Sequence, residues 1–144
     1  MNYTFRCDCP ITSALDILGD KWILVIIKQM LVEHKQTFKD FIESDEAIAT
    51  NILSTKLKLL EELEIVTKSK LPNNKKTNLY HLTEKGLSLA PIIVELALWS
   101  DYNLRELNMD MRNPNELELM KNNKEGFIKI LRENYKKKTG YNNL

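Results

Sequence analysis

Glycine and cysteine are scarce in this chain, at four and two among 144 residues, and the formal net charge is only +1. So few glycines argue against the phosphate-cradling loops of nucleotide-binding folds. The two cysteines, Cys7 and Cys9, form a C-x-C pair. That pair closes too small a loop to staple a fold, which fits a reducing compartment where thiols serve chemistry or nothing. Long apolar runs are missing too. The longest, residues 22–27, falls far short of the ~20 residues that span a bilayer, and residues 1–10 hold no signal-peptide core. A cytoplasmic protein without membrane contact is expected. No serine or cysteine has a credible histidine partner and no carboxylate pair sits in an apolar setting, so the chain does not read as an enzyme. Two thiolates make half a tetrahedral metal site, and only His34 and His81 remain to complete it. No metal and no cofactor is expected.

What is present is 43% hydrophobic and 28% charged residues, enough apolar material for a globular core. Pro10, preset for a first helical turn, followed by Ile11, Ala14, Leu15 and Leu18, predicts a short helix ending at Gly19. Asp20 caps a second helix over 21–32, whose unbroken apolar run implies burial on most sides. Phe38, Phe41 and Ile42 predict a brief third helix over 37–43, with a turn at 44–47.

Residues 50–63 form the most informative stretch. Leu53, Leu57, Leu60 and Leu63 recur on one helical stripe, while Thr50, Asn51, Ser54, Thr55 and Lys58 offer short donors and acceptors on the other side. Such side chains can read base edges in a major groove. Two strand-like runs follow, 65–71 and 77–82, separated by Pro72, Asn73 and Asn74, with Lys75 and Lys76 at or beside the tip. Helix then hairpin is the outline of a winged helix-turn-helix.

The small net charge is unevenly spread. Residues 50–86 carry seven lysines against four glutamates, and residues 121–138 carry seven basic residues against two acidic ones. The first excess sits on the candidate reading unit, although either could be a solvated face.

Thr83 is expected to cap a long helix over 83–103 with Leu89, Ile92, Ile93, Leu96 and Trp99 on one face, kinked at Pro91. So late and apolar a helix has little core left to cover within one subunit, and much of its stripe is expected to meet a partner. After a break at 109–114, residues 116–138 predict one weakly amphipathic helix. The division expected is therefore 1–103, a winged helix-turn-helix domain with its dimerisation helix, and 104–144, a C-terminal helical extension. The fold class is mainly α with a small β-hairpin wing.

Several blocks carry a resemblance. Cys9-Pro10 precedes Ala14-Leu15-Asp16-Ile17-Leu18-Gly19-Asp20-Lys21-Trp22, and Phe38-Lys39-Asp40-Phe41 follows. Leu53-Ser54, Lys56-Leu57 and Leu60-Glu61 fall in the reading helix, Tyr80 and Leu82-Thr83-Glu84-Lys85-Gly86 leave the wing, and Pro91 and Trp99 complete the set. Over residues 9–103 the chain resembles the HxlR-type regulators, bacterial winged-helix proteins related to the MarR regulators. The resemblance implies a homodimer that binds pseudo-palindromic DNA operators to control transcription, repression being the default. It also implies that an N-terminal cysteine, here Cys9, senses oxidants or electrophiles. Cys7 is additional to the usual single thiol.

The residues themselves leave alternatives open. Lys56 matches a basic position of the family and is a candidate for phosphate rather than base contact; Lys75 and Lys76 are candidates for backbone or minor-groove contact. Cys9 at a helix N-terminus favours the thiolate, with Arg6 adding and Asp8 opposing, but a small residue packed at a dimer interface is the competing reading. A winged-helix adaptor that binds proteins, or a regulator responding to a small ligand or metal, are the rival functions.

Overall fold

In the computed structural model, which describes residues 3–141, Pro10 starts helix α1 (Pro10–Leu18) and Gly19 ends it. A Cβ at Gly19 would sit 2.4 Å from the Leu15 carbonyl oxygen, so this tight turn requires glycine. Asp20 then accepts the N–H groups of Trp22 at 2.7 Å and Ile23 at 2.8 Å, and α2 runs Ile23–Leu31. The predicted start at residue 21 is two residues early because the Asp20 carboxylate holds Lys21 and Trp22 in the turn. Helix α3 (Phe38–Ile42) opens with a reciprocal cap between Thr37 and Asp40, whose carboxylate takes the Thr37 N–H at 3.0 Å.

Helix α4 (Thr50–Glu62) follows a turn in which Ala47 adopts a φ of 55°. Its leucines at 53, 57 and 60 are buried with Ile23, Ile26, Ile27, Met30 and Leu31 of α2 and Phe41 of α3 among the core residues. Strands β1 (Val66–Leu71) and β2 (Asn74–Leu82) pair antiparallel, from Val66 opposite Leu82 to Lys70 opposite Asn78. Strand β2 begins three residues earlier than predicted. Asn74 pairs with Leu71, and Lys75, Lys76 and Thr77 are inserted before Asn78 meets Lys70, a bulge that the alternation of side chains does not reveal. The Tyr80 N–H donates to the Gln36 carbonyl at 2.8 Å, and the Tyr80 ring meets Phe41 edge-on with centroids 6.5 Å apart. The hairpin is thereby tied to the helices; His81 is buried, 3.1 Å from the Gln36 amide nitrogen.

Residues 1–86 form one compact unit and residues 87–144 a second. The single helix predicted over 83–103 is broken. Thr83 does cap a turn, accepting the Gly86 N–H at 3.1 Å, but α5 (Glu84–Leu87) ends at once and α6 (Ala90–Asn103) starts afresh. Pro91 lies in the first turn of α6, where its missing N–H costs nothing, so it starts a helix rather than kinking one. The helix predicted over 116–138 is also two, α7 (Asn115–Asn122) and α8 (Lys124–Thr139). Asn123 separates them with φ −152° and ψ 81°, its side chain accepting the Gly126 N–H to cap α8.

In the second unit Ala90, Ile93 and Val94 of α6, Leu117 of α7 and Ile128 and Tyr135 of α8 are buried. Asp101 pairs with Arg105 at 2.6 Å and Lys121 at 2.8 Å, and Arg105 also donates to the carbonyls of Met111 and Arg112. Packing therefore groups α6 with the helices after it, so the compact units meet at 86/87 rather than at 103. No helix among the described residues is long and apolar enough to cross a membrane.

Candidate nucleic-acid interface and thiol

The polar face of α4 is open. Thr50, Asn51, Ser54, Thr55 and Lys58 are all exposed, while Leu53, Leu57 and Leu60 are buried on the opposite side. The Thr55 hydroxyl donates to the Asn51 carbonyl at 2.9 Å, so its methyl and both oxygen lone pairs remain for a ligand. Lys56 stands apart. Its ammonium pairs with Asp20 at 2.6 Å and its side chain is only 25% exposed. Residue 56 is three positions after Leu53 and four before Leu60, which puts it at the edge of the buried stripe.

Lys75 and Lys76 protrude from the bulge in β2 and are exposed. Asn74 organises this tip: its side-chain Oδ1 accepts the Lys76 N–H at 3.1 Å and its Nδ2 donates to the Thr77 hydroxyl at 2.9 Å. Lys70 is engaged with Asn78, and Lys68 lies 3.7 Å from Glu61.

A second anchor lies ahead of α4. The Glu46 carboxylate takes the Lys28 ammonium and, at 3.0 Å, the amide of buried Gln29, which also donates to Ser44 at 2.8 Å. Lys28 bonds Glu33 as well. Partial burial works to raise the Glu46 carboxyl, and these two donors overcome it and hold it below the ordinary value. Neither Glu46 nor the Asp20–Lys56 pair was singled out as a site from the sequence. Each link spans 17 residues or more, beyond the reach of any helical or strand periodicity.

Cys9 occupies the N-cap of α1 and is partly exposed; Cys7 is exposed, and both thiols are free. The backbone N–H and hydroxyl of Thr12 and the N–H of Ile11 hold the Cys9 thiol below its ordinary pKa, against a weaker effect of burial. Arg6 does not supply the expected charge. It is directed to Asp16, with Nε–Oδ1 at 2.5 Å and its own N–H to Oδ2 at 3.0 Å. We expect alkylation of Cys9 in a Cys7→Ser protein to show a pH midpoint below that of a cysteine in an unstructured peptide; mass spectrometry of iodoacetamide adducts against pH measures it, and a midpoint at or above the peptide's would contradict the N-terminal stabilisation.

The candidate dimerisation residues fall on two sides of α6. Ile93 is buried within its own unit and Leu89, the N-cap of α6, is half-buried. Ile92, Leu96 and Trp99 are exposed and, with Pro91 and Glu95, line an open hollow of about 370 Å³. Among the described residues no group of three or more His, Cys, Asp or Glu could hold a metal ion.

With this geometry in place the comparison with known proteins is decisive: the HxlR-like helix-turn-helix family matches residues 17–108. The chain belongs to the HxlR-like helix-turn-helix family. It is 36% identical over 94 residues to the HTH-type transcriptional regulator YodB of Bacillus subtilis, covering 65% of this chain and 83% of that protein. The reduced form of YodB superposes with a TM-score of 0.55 at 32% identity, over 69% of this chain and 98% of the other. The oxidized form of the redox regulator HypR superposes with a TM-score of 0.58 at 29% identity, over 66% and 97%. This HxlR-like protein is accordingly a winged-helix transcriptional regulator and not an enzyme, with β1–β2 as its wing.

Proposed function

We propose that this protein is a cytoplasmic homodimeric repressor that binds a pseudo-palindromic operator and loses or changes that binding when Cys9 reacts with an oxidant or electrophile. The observation that carries the DNA reading is the exposed polar face of α4 together with the exposed wing lysines Lys75 and Lys76. Thr50, Asn51, Ser54, Thr55 and Lys58 face base edges and phosphates, and Lys75 and Lys76 reach the backbone or minor groove flanking each half-site. In a symmetric dimer the two copies of α4 enter major grooves about one turn, roughly 10 bp, apart. Ile92, Leu96 and Trp99 serve dimerisation, with 104–144 extending that part of the chain.

The thiol reading rests on the lowered pKa of Cys9 and on the relatives: HypR is a redox regulator, and YodB is known in reduced, diamide-treated and quinone-bound forms. Reaction of Cys9 at the start of α1 would shift the spacing of the paired reading helices. Cys7 serves as a resolving thiol, as an intersubunit disulfide partner, or not at all.

Fluorescence anisotropy with DNA from upstream of its own gene, random DNA as competitor, and a mild thiol oxidant tests both parts. Specific binding that oxidant alters in the wild type and leaves unaltered in Cys9→Ser is expected. An unaltered response in Cys9→Ser removes the thiol reading, and absence of specific binding favours the protein-adaptor function. In the same assay Asn51→Ala should cost operator binding about 1–3 kcal/mol and relax base choice, while Lys75→Ala should weaken operator and random DNA alike. Equal losses on both DNAs from both variants would contradict that division.

A further inference from the structure

Lys56 lies on the reading helix yet its charge is already answered, and by an unusually placed carboxylate. Asp20 Oδ2 meets Lys56 Nζ at 2.6 Å. The other oxygen, Oδ1, accepts the N–H groups of Trp22 and Ile23. One carboxylate thus joins the first turn of α2 to the middle of α4. Partial burial works to raise the Asp20 carboxyl, but Lys56 and the two N–H groups outweigh it and keep it charged, below the ordinary value. The turn that presents Asp20 depends on Gly19, where a side chain would strike the Leu15 carbonyl. Ahead of α4 the Glu46 anchor to Lys28 and Gln29 holds the preceding turn. Two anchors at separated points fix the direction of a rigid helix.

We propose that Asp20 and Lys56 are positioning residues for DNA recognition: the pair sets the angle at which α4 presents Asn51, Ser54 and Lys58, and Lys56 makes no contact with DNA. This builds on the DNA reading above. A phosphate contact by Lys56 would bring DNA beside the Asp20 carboxylate, where like charges repel.

The two roles separate cleanly in experiment. Asp20→Asn retains an oxygen to accept the α2 N–H groups while losing the charge that holds Lys56; Lys56→Gln removes the other half, and Lys56→Arg preserves the ion pair. Operator affinity and its salt dependence would be measured for these three, the Asp20→Asn/Lys56→Gln double variant and the wild type, along with amide hydrogen exchange of α4 in each free protein. If the pair positions the helix, each disrupting single variant binds operator about five- to tenfold more weakly, and the double variant binds no worse than either single. The salt slope then stays at its wild-type value, Lys56→Arg restores binding, and α4 exchanges faster in both single variants. A salt slope shallower by about one in Lys56→Gln, with Asp20→Asn binding as well as or better than wild type, would overturn the inference and make Lys56 a phosphate contact. Should the wild type bind no duplex, the DNA reading itself falls. Exchange of α4 then decides the clamp alone: unchanged rates in both variants overturn it, equal acceleration sustains it.

Discussion

Trp99→Lys is expected to leave the chain folded while converting a dimer to monomers and lowering operator affinity by about a hundredfold or more, because two half-site contacts would no longer act together. Trp99 is 58% exposed, and Leu96 and Ile92 beside it are 47% and 38% exposed. Apolar side chains of this size gain roughly 25 cal/mol for each Å² removed from water, so burial against a second copy stabilises association where a lysine cannot. Since the side chain contributes little to its own core, the variant should stay within about 0.5 kcal/mol of wild-type stability. Sedimentation velocity together with anisotropy on the operator measures both consequences, and Leu96→Lys provides an independent variant of the same surface. Ile93→Lys makes the contrasting case. Ile93 is buried beside Ala90 and Val94, so a charge there should unfold its unit rather than split a dimer. A Trp99→Lys protein that remains dimeric with full operator affinity would move the dimer surface elsewhere, for which the exposed apolar residues of α1, Ile11 and Leu15, are the next candidates.

How much of this was legible beforehand depends on the range of the interaction concerned. Helix α1 was readable to the residue because proline and glycine bracket it, each with a local backbone reason to be there. The buried stripe and open face of α4 followed from a 3.6-residue period that the core enforces. The breaks at 88–89 and at Asn123 were not visible, since apolar spacing continues across both. What ends each helix is a cap or a proline at a first turn, and such residues read equally well as helix interior. Lys56 shows a different limit. On a helical wheel it is one more cation on a reading helix, and only the fold brings Asp20, 36 positions earlier in the sequence, to meet it. The bulge that projects Lys75 and Lys76 is likewise a property of pairing, fixed by the register between two strands rather than by the residues of one.

Phe41→Ala should produce the largest loss of stability in the first unit, about 3–5 kcal/mol. Phe41 is fully buried on α3, a helix of only five residues that cannot persist by propensity alone. Its ring meets Tyr80 of β2, which is itself 7% exposed and bonded through its N–H to the loop before α3. Removing the ring leaves a cavity where α3 and the wing meet, and the Thr37–Asp40 cap cannot compensate because a capping interaction is worth only about 1 kcal/mol. Set against the 5–15 kcal/mol typical of a whole domain, the loss is a large fraction of what holds the unit together. Urea unfolding at fixed protein concentration, followed by hydrogen exchange of residues 3–86, reads the effect; concentration is held fixed because association adds its own stabilisation. Phe41→Leu, which keeps most of the volume, should recover more than half of the loss. A Phe41→Ala protein within about 1 kcal/mol of wild type would mean that the wing and α3 are held together by the Tyr80–Gln36 backbone bond and the His81–Gln36 contact rather than by the aromatic contact.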